Sequence, residues 1–250
     1  MAKPAKTDRQ AVIEEMRKKQ KSADRRRGTV IVTVCVLAAV GIIAAAVVPI
    51  LLDKREDSKL DSVALDKIGS AASTCQKITT KKADGNQNHV PYETPVDYPD
   101  SPPAFGAHWN QQGVAPAAFA RKFYTADDRP ALEALVHNLE HGYTILWYDQ
   151  TIADDPAALD DVQAIARKFG GDDFRDKFIA APWKADDEDG AKFPDGQHVA
   201  FTHWSAGGDG ETDTTKQVGA FQYCSGVSGD ALSTFMDEYP YTDSPEPAAM

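Results

Sequence analysis

Cysteine is scarce in this sequence, and the motifs that would make a cysteine or a serine catalytic are missing. The 250 residues include three cysteines, none with a partner at Cys-x-x-Cys spacing. A thioredoxin-type redox motif therefore has no local support. The Gly-x-Ser-x-Gly motif of the α/β-hydrolases does not occur either. No motif for nucleophilic catalysis is left.

Basic residues are few after the first 27 positions. The formal net charge of the chain is −11, and residues 1–27 contain ten Lys or Arg against four acids, so the remainder carries −17. Such an excess of acid repels the phosphates of nucleic acids and of anionic lipids. The sequence therefore predicts that nucleic acid is not a partner.

One long segment has no charged residue at all. From Thr29 to Leu52, 24 consecutive positions lack Asp, Glu, Lys and Arg, and as a helix of about 36 Å they would cross a bilayer. A secretory signal peptide has a shorter apolar stretch and then a small-residue cleavage site. We therefore interpret residues 29–52 as an uncleaved transmembrane helix that follows a basic tail, residues 1–28.

The basic tail predicts the orientation of this helix. Arg25, Arg26 and Arg27 directly precede the apolar segment, and the positive-inside rule then places the tail in the cytoplasm. We expect a single-pass protein of the cell membrane with its C-terminal part outside the cytoplasm. Cys35 falls within the span, so Cys75 and Cys224 remain as an even pair in an oxidising compartment. That pair predicts a structural disulfide.

The part beyond the membrane divides by composition into a stalk and one extracytoplasmic domain. Residues 53–85 are polar and of mixed charge, which predicts a stalk; residues 86–247 form the domain. Three helices are predicted. The first is Pro130–His141, capped by Asp127 or Asp128, the second runs from its Asp155 cap to Gly170, and the third follows an Asp230 cap. The predicted strands are Tyr143–Tyr148, Phe178–Trp183 and His198–Trp204. This order predicts a mixed α/β domain with a small sheet. It is compatible with a thioredoxin-like or a ferredoxin-like arrangement and does not choose between them.

Two histidines on the first of these helices are the main candidates for a site. His137 and His141 are four residues apart, on the side opposite the apolar stripe of the helix, and Glu140 lies beside them. This spacing sets two imidazoles one turn apart, where one metal ion can bind both. The alternative is a pair of exposed histidines that interact favourably with the helix C-terminus. His-x-x-Glu-His also matches the inverted zinc-peptidase motif, in which the glutamate activates water.

Two further histidines lie in a proline-rich segment that precedes this helix. His89 and His108 are in loops that prolines brace, and such loops could lay both side chains over the helix face with His137 and His141. Four imidazoles would suit Cu²⁺ or Zn²⁺. His198 and His203 are five apart, so on one strand they point to opposite faces. We interpret that pair as structural or surface residues.

The blocks that carry these histidines resemble a known family. Asn88-His89-Val90, Pro102-Pro-x-x-Gly106-x-His108 and Val136-His-Asn-Leu-Glu-His-Gly142 are similar to the domain of unknown function 3105, which occurs in membrane-anchored bacterial proteins, many of them actinobacterial. Weaker later blocks are Ala181-Pro182, Val199-Ala-Phe-Thr-His-Trp204 and Ser244-Pro-Glu246, so the resemblance covers about residues 86–247. His203 and Tyr143 depart from the family pattern. The family has no established activity to transfer, but the resemblance implies that His89, His108, His137 and His141 are its hallmark positions.

Three functions are compatible with these residues. The leading hypothesis is a binding module in which His89, His108, His137 and His141 hold copper or zinc. Glu140 supports these ligands without binding the metal itself. The second is a metal-dependent hydrolase with Glu140 as general base. The third is a structural accessory subunit of a membrane complex, without metal, in which the histidines hydrogen-bond the proline-rich loop to the helix.

Overall fold

The computed structural model describes residues 8–83, 87–117, 121–171 and 173–249. The chain divides into two units, Met1–Ser58 and Lys59–Met250. Residues 1–7 of the predicted tail and residues 84–86, where the predicted stalk meets the domain, lie outside the described residues.

The N-terminal part is one long helix, α1 (Asp8–Ser62). Its stretch Val12–Ile43 is long and apolar enough to cross a membrane, a criterion that a signal sequence near the N-terminus also meets. Apolar side chains on it, such as Ile31 and Ile42, are exposed. The predicted span, residues 29–52, lies within α1, although the side chains of residues 39, 44, 46 and 48–52 are outside the described part of the chain.

The second unit is a mixed α/β domain, as predicted. Its elements are β1 (Thr79–Lys82), β2 (His89–Val90), β3 (His108–Trp109), α2 (Leu132–Glu140), β4 (Thr144–Tyr148), α3 (Gln150–Ala153), α4 (Pro156–Lys168), β5 (Phe178–Pro182), β6 (Val199–Ser205), β7 (Val218–Cys224) and α5 (Gly229–Glu238). Five of the strands form a sheet in the order β1-β7-β6-β4-β5, and β2 pairs with β3 in a separate two-stranded sheet.

The strand directions exclude one of the two arrangements considered from the sequence. β4 and β5 are parallel and are connected through α4, whereas β6 runs antiparallel to both β4 and β7. Because β4 and β5 are parallel neighbours, the sheet is not the all-antiparallel sheet of a ferredoxin-like domain. The helix α2 precedes the first strand of this β-α-β unit.

Both faces of the sheet are covered by helices. Along β4, Ile145 and Trp147 face α2, while Leu146 and Tyr148 pack in a second core with α4 and α5. Successive side chains of a strand point to opposite faces, so a strand that is apolar at every position must be buried on both sides. This burial explains the unbroken run Ile-Leu-Trp-Tyr.

Part of the predicted stalk belongs to the fold, which corrects that prediction. Residues 65–67 and 72–74 form short 3₁₀ helices, and β1 pairs antiparallel with β7 at the edge of the main sheet. All four β1 side chains are exposed, so the segment carries none of the apolar alternation that marks a strand. The predicted disulfide is confirmed, because Cys75 and Cys224 are bonded, and it attaches this segment to the end of β7.

Two predicted helix caps are wrong, and one is confirmed. The Asp155 carboxylate accepts hydrogen bonds from the backbone N–H groups of residues 157 and 158, as expected for α4. The N-cap of α2 is Ala131, and Asp128 accepts instead from the Thr125 N–H in the preceding turn. α5 is capped by Ser228, which places Asp230 in its first turn. The Asp128 carboxylate is thus used in a turn before α2, and α5 begins two residues earlier than predicted, with a serine hydroxyl as its cap.

The C-terminal segment (residues 240–249) returns to the end of α2. Gly142 follows α2 with φ of +90°, and a Cβ there would lie 2.3 Å from the Tyr241 carbonyl oxygen, so only glycine allows this approach. Lys177, 1% exposed, donates from Nζ to the carbonyls of His141, Pro247 and Ala249 at 2.7 to 2.9 Å. One buried cation thus connects the segment to α2.

Lys177→Met is expected to lower the free energy of unfolding of the unit from Lys59 onward by about 3 kcal/mol. Methionine fills the same space but leaves the buried His141 carbonyl without its charged donor. Urea denaturation followed by tryptophan fluorescence measures the change. Lys192→Met, at an exposed lysine, is the matched control and should change stability little. Equal midpoints for the two variants would contradict the prediction.

Candidate metal centre

The candidate site lies where α2 ends and the proline-rich segment crosses it. The side of α2 opposite the apolar stripe carries His137, Glu140 and the following His141, which are 9%, 1% and 6% exposed. This burial rules out the alternative of two exposed histidines at the helix C-terminus. β2 and β3 pair in parallel with His89 opposite His108, which brings these two side chains over α2 together.

Glu140 is at the centre of the cluster. Its Oε2 lies 2.9 Å from His108 Nε2 and 3.5 Å from His89 Nε2, and its Oε1 accepts a hydrogen bond of 3.0 Å from the Gln87 amide. The sequence predicted that Glu140 supports the histidine ligands and does not bind the metal. The structure instead places its carboxylate among their ring nitrogens, at a position where a ligand atom would be.

The orientation of His108 is the most informative single feature. Its Nδ1 lies 2.8 Å from the Gly106 carbonyl oxygen, which can only accept, so Nδ1 carries a proton. In the neutral ring Nε2 then has a lone pair directed at the Glu140 carboxylate. Two electron-rich atoms at 2.9 Å require a cation between or beside them, either a second proton or a metal ion. A ring N–H donated to a backbone carbonyl is also the usual support of a metal-bound histidine.

The imidazole rings form a continuous group. Ring centroids are 4.9 Å apart for His89 and His108, 5.2 Å for His108 and His137, and 4.3 Å for His137 and His141. His137 Nδ1 is buried and has no hydrogen-bond partner among the residues that the structure describes. A buried polar atom without a partner is costly, and a bound cation would satisfy it.

The potential ligand atoms fall into two groups that share Glu140. One group is His89, His108, His137 and Glu140, and the other is Glu140, His141 and Glu246; within each group the ligand atoms lie within 4.8 Å of one another. All four predicted histidines are therefore close together, but His141 belongs to the second group. Sequence reasoning missed Gln87 and Glu246. The only signal for Glu246 was the block Ser244-Pro-Glu246, which carried no assigned role.

The charge states of the cluster suit a cation. Burial, with the nearby His141 and His108, lowers the pKa of His137 to about 4, and burial also lowers the pKa of His141. For Glu140, burial favours the neutral acid, but hydrogen bonds and charge from His108, with the Gln87 hydrogen bond, outweigh it and lower its pKa to about 2. At neutral pH His137 and His141 are thus neutral and Glu140 is ionised, the forms in which these side chains bind metals.

The other two histidines have separate structural partners. His198 Nδ1 lies 2.8 Å from an Asp149 carboxylate oxygen, and His203, fully buried, places its two ring nitrogens against the carbonyl oxygens of Tyr143 and Asp243. The two departures from the family pattern, His203 and Tyr143, therefore meet in space. His203 joins β6 to the C-terminal segment and is not part of the cluster.

The comparison with protein families agrees with the resemblance of the histidine blocks. The family model described as protein of unknown function (DUF3105) matches residues 89–250. The chain belongs to this family. No curated protein and no solved structure matches the chain. The DUF3105 region begins at His89 and contains both groups of potential ligands, whereas β1 and Cys75 precede it.

Proposed function

We propose that this DUF3105 protein is a membrane-anchored, extracytoplasmic metal-binding protein that holds copper or zinc in the histidine cluster. The observation that carries the proposal is the contact between His108 and Glu140. A ring whose Nδ1 proton is held by a carbonyl, and whose Nε2 faces a carboxylate, can share a cation with that carboxylate, either a second proton or a metal ion. The buried, unpartnered Nδ1 of His137 supports the same interpretation.

The ligands of this site are His89, His108, His137 and Glu140. They differ from the four histidines expected from the sequence, because His141 lies with Glu246 and Glu140 takes the fourth position. Three imidazoles and one carboxylate match in number and type the ligands that Zn²⁺ takes in proteins, and they also suit Cu²⁺, which favours nitrogen and oxygen donors. Gln87 and the Gly106 carbonyl orient two of these ligands through hydrogen bonds.

The location rests on three observations. The candidate membrane span lies in α1, and the ten basic residues among residues 1–27, before the uncharged segment 29–52, favour a cytoplasmic N-terminus. The Cys75–Cys224 disulfide is typical of an oxidising compartment outside the cytoplasm. In this arrangement the cluster would meet metal ions outside the cytoplasm.

His89→Ala tests the proposal with the least risk to the fold, because 40% of the His89 side chain is exposed. The full-length protein is purified in detergent without a histidine tag, and competition with a chelator measures its affinity for Zn²⁺ and Cu²⁺. We expect at least one metal ion per chain in the wild type and a loss of more than about 100-fold in affinity in His89→Ala. Removing a residue that only orients a ligand lowers metal affinity about 10- to 100-fold, so removing a ligand itself should lower it more.

His198→Ala is the matched control, since it removes a partly exposed histidine with a carboxylate partner outside the cluster. It should bind metal like the wild type. The proposal fails if the wild type binds neither ion, or if His89→Ala and His198→Ala bind with equal affinity.

A further inference from the structure

We infer that the centre has a second metal position, formed by Glu140, His141 and Glu246, and that the Glu140 carboxylate is shared between two divalent ions. The inference rests on the proposed metal site and extends it from one ion to two. His141 Nε2 lies 3.5 Å from Glu246 Oε2. The Glu246 backbone N–H donates to the Glu140 carbonyl at 2.9 Å, which joins this residue to the end of α2.

The C-terminal segment holds Glu246 in this position through buried contacts. Lys177 donates to the carbonyl of Pro247, directly after Glu246, and to the carbonyl of His141, so one cation connects two parts of the second group. Upstream, the Asp243 carboxylate accepts hydrogen bonds from Ser205 Oγ and the Gly208 N–H. These contacts on both sides of Glu246 distinguish it from an acid on a loose terminus.

The chemistry of the second group differs from that of the first. The first has three imidazoles, whereas the second has one imidazole and two carboxylates. Oxygen-rich donor sets suit ions such as Zn²⁺ or Mn²⁺ better than Cu⁺. His137 and His141, one from each group, have ring centroids 4.3 Å apart, so the two positions are adjacent. Paired metal ions in proteins are commonly about 3.5–4 Å apart, and a shared carboxylate reduces their mutual repulsion.

The stoichiometry of Zn²⁺ in the full-length protein tests this inference. Wild type, Glu246→Gln and Glu238→Gln are dialysed in detergent against the same low concentration of free Zn²⁺, and zinc and sulfur are measured by elemental analysis. Glutamine keeps the shape of Glu246 but lacks its charge. Glu238 is an exposed glutamate on α5 and provides the same chemical change outside the cluster. We expect two zinc ions per chain in the wild type and in Glu238→Gln, and one in Glu246→Gln.

The other outcomes separate this inference from the proposed function. One zinc ion in the wild type would overturn the second position and leave the first site intact. No zinc in the wild type would overturn the proposed function itself. Two zinc ions in Glu246→Gln would exclude Glu246 as a ligand. If Glu246→Gln binds no zinc and its circular dichroism spectrum is unchanged, the two groups of ligands are not separate metal positions. That result would also overturn the inference.

Discussion

Glu140→Gln is expected to lower the affinity of the protein for Zn²⁺ or Cu²⁺ by more than about 100-fold, the largest effect of any single substitution in the cluster. Glu140 is the one residue that belongs to both groups of potential ligands. Glutamine fills the same space but removes the buried negative charge that faces the ring nitrogens of His108 and His89. Removing a hydrogen bond that only supports a ligand lowers metal affinity about 10- to 100-fold, so removing the Glu140 charge is expected to lower it further. Chelator competition on the full-length protein measures it.

The same variant distinguishes the binding protein from a metal-dependent hydrolase. If Glu140 were a general base that activates water, its amide would abolish turnover and leave the metal in place. As a ligand, Glu140 cannot be replaced without loss of metal. Glu133→Gln, on the first turn of the same helix and outside the cluster, is the control and should retain the metal. Wild-type affinity in Glu140→Gln would contradict the ligand role and favour the hydrolase.

Removing the disulfide by Cys75→Ser with Cys224→Ser is expected to destabilise the unit from Lys59 onward by about 5 kcal/mol. The bonded cysteines are 149 residues apart, and in the chain-entropy model a crosslink over a loop of this size restricts the unfolded chain by roughly that amount. The folded state also depends on the bond locally. β1 has four exposed side chains and little apolar surface to hold it against β7, so its backbone amides should exchange with solvent much faster in the variant.

Denaturant midpoints and hydrogen exchange at residues 79–82 measure these two effects. Cys35→Ser makes the same chemical change at the free cysteine of α1, and in the full-length protein it should leave exchange at β1 unchanged. Metal affinity should persist in the double variant, because no proposed ligand lies in the segment that the disulfide holds. Unchanged stability and exchange in the double variant would show that the sheet holds β1 without the crosslink.

Local sequence patterns were sufficient for the elements whose signal is contained within about a dozen residues. The apolar stretch of α1, the helix α4 with its Asp155 cap, and the strands β4, β5 and β6 all follow from periodicity or from unbroken apolar runs. The disulfide followed from counting cysteines. The four clustered histidines followed from the spacing of His137 and His141 and from the family resemblance.

Only the tertiary structure decided the features that depend on contacts between distant segments. β1 is polar and becomes a strand because β7 offers it a backbone edge. Glu246 joins His141 because Lys177 and the conformation at Gly142 return the C-terminal segment to α2. The amphipathic pattern of α2 showed that His137, Glu140 and His141 share a side of the helix. The position of the Glu140 carboxylate among the ring nitrogens of His89 and His108 depended on where β2 and β3 place those residues. Contacts between segments far apart in the sequence are not encoded in any local period.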